Sequence, residues 1–452
     1  MLGNEGAPAR LTSAHWGSRM RFRVIAVLVV LGVIAAACGN SKSSKAAKTT
    51  TTAGGGTVAV NEPGVTDTEI RVGGIASINN PLNQNYGAIY DGVDAYFEMV
   101  NSAGGIYGRK LKLVARRDDQ LANGKSEAEG LLAQDNPFVA LPIAELLFTA
   151  SDVLAKANIP TFGWNVNKEW TGPPNFFEQE GALCFDCPGV GLPWLAKKIG
   201  KKKLGVLAYS VEQSSDCAKG IKASFDKYPV ATIAWDDRTL PFSSATDFST
   251  DVKKMKDAGV DMVTTCMDQN GVLGVTREMK KQGLDVVQYL PNAYDHDFMA
   301  SYGDLFEGAY VRTRFAPFET TPQPPGLKLF DKWMKKTGKK EVEISYVGWI
   351  DADMFVTGLK AAGKNFTRQK IVDALNKLTD YNADGILPGL DWTKQHGDPH
   401  LDQYKTPEDC SAMTQIKNKK FVPVFNQPGK PFICFPDASR APTVPDAPTN
   451  KA

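Results

Sequence analysis

Glu69–Gln120 reads EIRVGGIASINNPLNQNYGAIYDGVDAYFEMVNSAGGIYGRKLKLVARRDDQ, and its changes of hydrophobic period decide the fold. Ile70, Val72 and Ile75 form a short apolar run that ends in an asparagine-rich loop. From Tyr86 the period becomes helical, with Ile89, Val93, Phe97 and Val100 on one face. Gly104 and Gly105 stop that helix, because glycine accepts the positive φ of a helix C-terminal cap. Leu111, Leu113 and Ala115 then alternate with Lys110, Lys112 and Arg116, the period of a strand. Strand, helix, strand at this length is a βαβ unit in a parallel sheet. Ligands of open α/β sheets bind at the carboxyl ends of the strands, so the loop Ser77–Tyr86 is the first place to look for a site.

Outward from that stretch the alternation of strand and helix continues. Helices are predicted over Lys125–Ala133 and Thr149–Ala157, and strands over Phe138–Leu141 and Thr161–Trp164. A crossover is expected near Phe176–Glu180. Strands follow at Leu204–Ala208, Ala231–Trp235, Met262–Cys266 and Val286–Leu290, with helices at Asp247–Ala258 and Val272–Gln282, a second doubly wound sheet. Gly308–Phe315 reads as the return crossover, Phe330–Lys336, Tyr346–Ala362 and Arg368–Leu378 as helices, and Phe421–Phe425 as a late strand. At 452 residues the chain exceeds one comfortable core, in keeping with two lobes. Lys+Arg of 52 against Asp+Glu of 50 leaves a formal +2, so no charge excess points to nucleic acid.

The N-terminus carries Arg19, Arg21 and Arg23, an apolar run from Val24 to Ile34, and Ala35-Ala36-Ala37-Cys38. Basic, apolar and small-residue regions in that order describe an export signal. The run is shorter than the roughly 20 residues of a membrane span. Cysteine directly after the alanines resembles a bacterial lipoprotein signal, which implies lipidation of Cys38. Met20 is an alternative start to Met1. Residues 39–66, poor in large apolar side chains over Gly39–Gly56, are expected to be a flexible tether, and the proline-rich 438–452 a disordered tail.

Of seven cysteines, six remain once Cys38 is set aside, and an even set in an exported chain argues for disulfides. Cys410 and Cys434 flank the C-terminal strand segment and are expected to pair. Cys184, Cys187, Cys217 and Cys266 should cluster at the carboxyl edge of the second sheet, their pairing left open. Cys184-Phe-Asp-Cys187 matches a C-x-x-C motif, but no thioredoxin-like strand precedes it, and export favours a structural disulfide over redox catalysis or zinc. Catalytic signals are weak. His396 and His400 stand in HGDPH, whose Gly397 and Pro399 exclude one helical face; the plain reading is a solvated loop pair. Gly358–Lys364 approaches a phosphate loop, yet Asn365 stands where Ser or Thr is needed and the stretch ends a helix. No G-x-S-x-G elbow occurs. No enzyme, cofactor or metal is expected.

IRVGGIAS, Pro81, Tyr86-Gly87 and NSAGGIYGRKLKLVARRDDQ together resemble the opening of type I periplasmic binding proteins, in particular the branched-chain amino acid (leucine/isoleucine/valine) binding family of ABC importers. The resemblance runs from about Thr66 to Phe435. It implies two doubly wound Rossmann-like lobes joined by a three-strand hinge, with residues 67–178 and 316–380 in lobe 1, and 179–315 and 381–437 in lobe 2. Carried over position by position, it places a ligand-facing tyrosine at Tyr86 and the main ligand loop at Ile143, Ala144 and Glu145. A second contact strand falls at Asn165–Asn167, and second-lobe contacts at Asp268, Asn292 and Ala293. Ala144 stands where the family has a hydroxyl and Asn292 where it has the acid that holds the ligand's ammonium. A buried ammonium without a carboxylate is costly, so these departures argue against leucine or valine, although Asp268, Asp295 or Glu145 could replace the lost charge. Ser77 belongs to the first candidate loop. Trp164 and Tyr209, each at a strand end, either floor a pocket for a flatter or aromatic ligand or are ordinary core and rim aromatics.

The reading is therefore an exported, lipid-anchored solute-binding protein that captures a small molecule by hinge closure and delivers it, as a monomer, to ABC permease subunits at the outer face of the membrane. The rivals are a sensor signalling to a membrane receptor and a secreted enzyme on the same scaffold.

Overall fold

The computed structural model describes residues 58–452 except Asn83, Ala182, Ser244, Asp402, 405–407 and 437–441. The export signal, Cys38 and most of the tether lie outside the described residues. The opening unit forms as its periodicity predicts: β1 (Glu69–Ala76), α1 (Ile89–Ser102) and β2 (Lys110–Asp118). Helix α1 buries Ile89, Val93, Phe97 and Val100, and Gly104 and Gly105 follow it with φ of 105° and 79°. The first lobe adds α2 (Gly124–Gly130), β3 (Val139–Ala144), α3 (Ser151–Lys156), β4 (Thr161–Gly163) and β5 (Phe176–Glu178). All five strands are parallel, in the order β2-β1-β3-β4-β5.

The second lobe repeats that order. After α4 (Gly191–Lys198) come β6 (Lys203–Tyr209), α5 (Glu212–Lys227), β7 (Thr232–Leu240), α6 (Ser249–Asp257), β8 (Met262–Cys266), α7 (Gln269–Gln282), β9 (Val287–Leu290), α8 (His296–Tyr302) and β10 (Tyr310–Thr313). The parallel order is β7-β6-β8-β9-β10. In each lobe the strand order therefore reverses beside the lobe's first strand, between β1 and β3 and between β6 and β8. A crevice opens at such switch points. Gly308–Phe315, expected as a crossover, instead contributes β10 as a fifth parallel strand, and the chain crosses after it.

Helices α9 (Pro325–Thr337), α10 (Glu343–Ala362) and α11 (Arg368–Leu375) return to the first lobe. There α10 packs on α1, β3 and β4. Its crossing with α1 is close: a Cβ on Gly92 would lie 1.8 Å from the Ser345 carbonyl oxygen, and one on Gly348 2.0 Å from that of Ile89. Three passages of chain join the lobes, after β5, after β10 and after α11. Arg314 Nε meets Glu180 Oε2 at 3.1 Å, and Ala316 N–H donates to the Ile386 carbonyl at 2.8 Å, so the passages are laced together.

Two expectations about the ends are corrected. Residues 58–66 are not tether: Arg109, 1% exposed, donates to the carbonyls of Thr66 (2.6 Å) and Val58 (2.8 Å), and Val60 and Val65 pack on the core. A buried guanidinium needs such acceptors. Nor is the C-terminal segment a frayed tail throughout. Beyond β11 (Glu408–Lys417), β12 (Lys420–Pro423) and β13 (Phe432–Pro436), β14 (Thr449–Lys451) pairs antiparallel with β13, and Val444 is buried. Thus β11, β13 and β14 extend the second sheet antiparallel beyond β10.

Cys410 and Cys434 are cross-strand partners on β11 and β13 and are bonded, as expected. The open pairing resolves as Cys217–Cys266 and Cys184–Cys187. Cys184 and Cys187 lie in the loop before α4 and do not open the helix. The loop rests on α5, where a Cβ on Gly220 would come within 2.2 Å of the Phe185 carbonyl oxygen.

Candidate functional site

Both switch points face the space between the lobes. At the first, Ser77 follows β1 and is fully buried. Its hydroxyl donates to Asp119 Oδ2 (3.0 Å) and accepts from Leu146 N–H (3.0 Å), so it ties the two strand-end loops together. Ile143 and Ala144 end β3, both fully buried. Glu145 turns inward: a Cβ on Gly124 would lie 2.1 Å from its Oε2. Burial, then the nearby Asp119, pushes its carboxyl up to about 8 against the bonds from Ala150 and Thr149 N–H. Asn165 donates to the Gly181 carbonyl (3.3 Å) and Asn167 to that of Glu145 (3.2 Å). Both asparagines hold loops.

Tyr86 is nearly buried and stacks on Trp164 with ring centroids 5.0 Å apart. At the second switch point Tyr209 donates its hydroxyl to Asp268 Oδ1 at 2.6 Å and meets the Phe242 ring edge-on at 5.3 Å. Phe242 in turn packs against the first-lobe cluster that Leu82, Tyr86 and Leu146 form. Two ring pairs, Trp164–Tyr86 on the first lobe and Phe242–Tyr209 on the second, therefore border the same interlobe cluster. Burial above all, then the charges of Asp268 and Glu343, drives the Tyr86 hydroxyl far above the usual tyrosine range. The lobes also meet through Asn270 Nδ2 to the Leu82 carbonyl (2.7 Å), Gln213 Nε2 to the Leu146 carbonyl (3.2 Å) and a Lys168–Glu212 ion pair.

Of the carboxylates able to replace the missing ammonium partner, Asp268 and Asp295 are engaged as helix caps, while Glu145 keeps its Oε1 without a hydrogen-bond partner. Asp268 caps α7, accepting from Asn270 and Gly271 N–H as well as from Tyr209. Asp295 caps α8 through Phe298 N–H at 2.7 Å. Glu145 faces the starts of α2 and α3. Asn292 is exposed and donates to the Met267 carbonyl at 3.3 Å. Ala293 is fully buried in the core with Leu290, Tyr294 and Phe298, which puts it beneath the cleft. Phe242 and Glu343 were missed by sequence reasoning. Phe242 stands alone in a loop, with no period to mark it. Glu343 opens α10; burial, then Glu180 and Asp295, pushes its carboxyl up to about 8.

At one edge of the interlobe space lies a cavity of about 560 Å³, lined among others by Thr149, Asn167, Lys168, Phe185, Glu212 and Gln213. Asn167 alone of the sequence-predicted residues lines it. His396 is not a solvated partner of His400: its ring lies between Phe177 and Trp392, and burial holds its pKa down to about 4.

The sequence profile of periplasmic binding proteins matches residues 69–420. The chain belongs to the periplasmic binding protein family. Solved structures with the same fold include an ABC-transporter solute-binding protein from R. palustris in complex with 4-hydroxybenzoate (19% identity, 84% of this chain and 98% of that one, TM-score 0.62). A fatty acid ABC transporter substrate-binding protein from Thermomonospora curvata is similar (18%, 83% and 94%, 0.64), as is a branched-chain amino acid ABC transporter protein from Thermus thermophilus with bound valine (18%, 79% and 96%, 0.64). No curated protein sequence matches. Periplasmic binding proteins are solute-binding proteins and work outside the cytoplasm. Among the described residues no helix is long and apolar enough to cross a membrane.

Proposed function

We propose that this periplasmic binding protein captures a flat, aromatic or largely apolar small molecule between its lobes and hands it to the permease of an ABC importer. The observation that carries the reading is the two ring pairs, Trp164–Tyr86 on one lobe and Phe242–Tyr209 on the other, that border one cluster between the lobes. An aromatic ligand stacks on such rings by face or edge. A zwitterionic amino acid needs a charged carboxylate for its ammonium; Asp268 and Asp295 are committed as helix caps, and burial, which pushes the Glu145 carboxyl up to about 8, disfavours its charged form. Relatives whose fold is shared include binders of hydroxybenzoate, fatty acid and valine, so the scaffold accommodates this choice. Hinge closure buries the ligand and presents both lobes to the permease. Lipidation at Cys38 would hold the protein at the membrane's outer face; Cys38→Ser should move it from the membrane to the soluble fraction.

A thermal-shift screen tests the ligand class, since a ligand that binds only the folded state raises the melting point. Aromatic acids or uncharged aromatics should raise it, and Trp164→Ala should abolish the shift. A shift with leucine or valine that survives Trp164→Ala overturns the reading.

A further inference from the structure

The loop leading into α4 holds Cys184 and Cys187, bonded to each other, and the segment around His400 lies against it. His400 Nδ1 is 2.8 Å from Asp398 Oδ1. Its Nε2 lies 3.1 Å from Asp186 Oδ1 and 3.7 Å from Cys184 Sγ. One ligand-capable atom from each of Cys184, Asp186, Cys187 and His400 falls within 4.8 Å of all the others. We infer that, once the Cys184–Cys187 bond is reduced, these four side chains form a tetrahedral site for zinc or another thiophilic divalent cation.

The donor set is two sulfurs, one imidazole nitrogen and one carboxylate oxygen, all zinc ligands. Zinc bonds of about 2.0–2.3 Å imply ligand–ligand edges of roughly 3.3–3.8 Å in a tetrahedron, so the widest pairs need to close by about 1 Å while the two sulfurs, freed of their bond, move apart to that edge. The ring is already aimed: Asp398 on Nδ1 leaves Nε2 turned toward the sulfurs, the carboxylate–histidine arrangement that orients metal-bound imidazoles. His400 and Asp186 are exposed and both cysteines half-buried, which gives an ion and a reductant access. Cys266, Cys410 and Cys434 are 4%, 8% and 1% exposed, so the 184–187 pair should open first. A dithiol donates two electrons and two protons to the pair and leaves as its own disulfide. The incoming cation then displaces the two thiol protons to solvent and forms two metal–thiolate bonds. The site stands at the cleft edge, where Phe185 lines the cavity.

The test uses the purified full chain, treated with a phosphine until alkylation and mass mapping find free thiols at 184 and 187, and titrated with Co²⁺ alone. One equivalent should bind with thiolate-to-cobalt charge-transfer absorption and the intense visible bands of tetrahedral cobalt, and Zn²⁺ should displace it. Unreduced protein and the C184S/C187S variant should give neither signal. His400→Ala should weaken binding at least tenfold and Asp398→Asn about tenfold. Absence of charge transfer in reduced protein, unchanged affinity in His400→Ala, or opening of another pair before 184–187 overturns the inference. If C184S/C187S does not fold, His400→Ala, which keeps every disulfide, decides.

Discussion

Glu178 closes β5 where the chain leaves the first lobe, and replacing it by glutamine should change how stability depends on pH. The side chain is 2% exposed and accepts a hydrogen bond from Glu180 N–H at 2.8 Å. Burial pushes its carboxyl up from 4.5 to about 8; the Glu180 N–H bond and Arg314 oppose the rise, and the Glu180 charge adds to it. The folded protein therefore keeps a proton that the unfolded chain gives up above pH 4.5. Stability linked to that proton is complete below the unfolded value and is lost as pH climbs to about 8. The gap corresponds to about 5 kcal/mol, of which about 3 kcal/mol is gone at pH 7. Glutamine accepts the same backbone bond without a proton to lose. Glu178→Gln should thus gain about 3 kcal/mol on the wild type between pH 4.5 and pH 7, read from urea midpoints of the two proteins across that range. Parallel pH profiles would refute the argument.

Gly92→Ala drives a methyl into the Ser345 carbonyl, 1.8 Å away, and should cost about 3 kcal/mol in chemical denaturation by forcing α1 and α10 apart. Phe242→Ala removes the second lobe's ring from the cross-lobe cluster; a loss of about 1.4 kcal/mol, a tenfold fall in the closed-to-open ratio, should appear as a larger radius of gyration in solution scattering. Tyr96→Phe deletes a 2.7 Å bond to the half-buried Asp353, which keeps its 2.9 Å partner Tyr381, and should lower stability by about 1.5 kcal/mol. Replacing Cys217 and Cys266 by serine opens a loop of sequence separation 49 and should cost about 4 kcal/mol, against about 2 kcal/mol for Cys184 and Cys187 at separation 3.

Most strands and helices of both parallel sheets were legible because each carries its own period, Ile70, Val72 and Ile75 for one strand, Val272 to Gln282 for one helix; the short last strands β5 and β10 read only as crossovers. The antiparallel extension was not. In β11, Cys410–Lys417 mixes small, polar and apolar residues, and the bond partners that make it a strand lie far along the chain on β10 and β13. The same holds for Val58–Thr66, whose order comes from Arg109, a residue some forty positions later that looks solvated in isolation. At the site, chain position after a strand identified Ser77, Tyr86 and Tyr209 as neighbours of the two crevices. Side-chain direction was beyond reach. Whether residue 292 or 293 faces the core depends on the exact exit of β9, and that register sends Ala293 inward and leaves Asn292 at the surface.

The return of α10 to the first lobe has a consequence for how the molecule is made. A chain that emerges N-terminus first presents β1, β2 and β3 long before Glu343–Ala362 exists to cover them. The first sheet must wait, with one face bare, while the parallel strands of the second lobe, β6 to β10, are extruded. The second lobe in turn waits for β11, β13 and β14, so neither lobe is finished until the chain has crossed between them three times. Until α10 arrives, the apolar face of β3 and β4 that it covers is open to any holding partner that meets the chain.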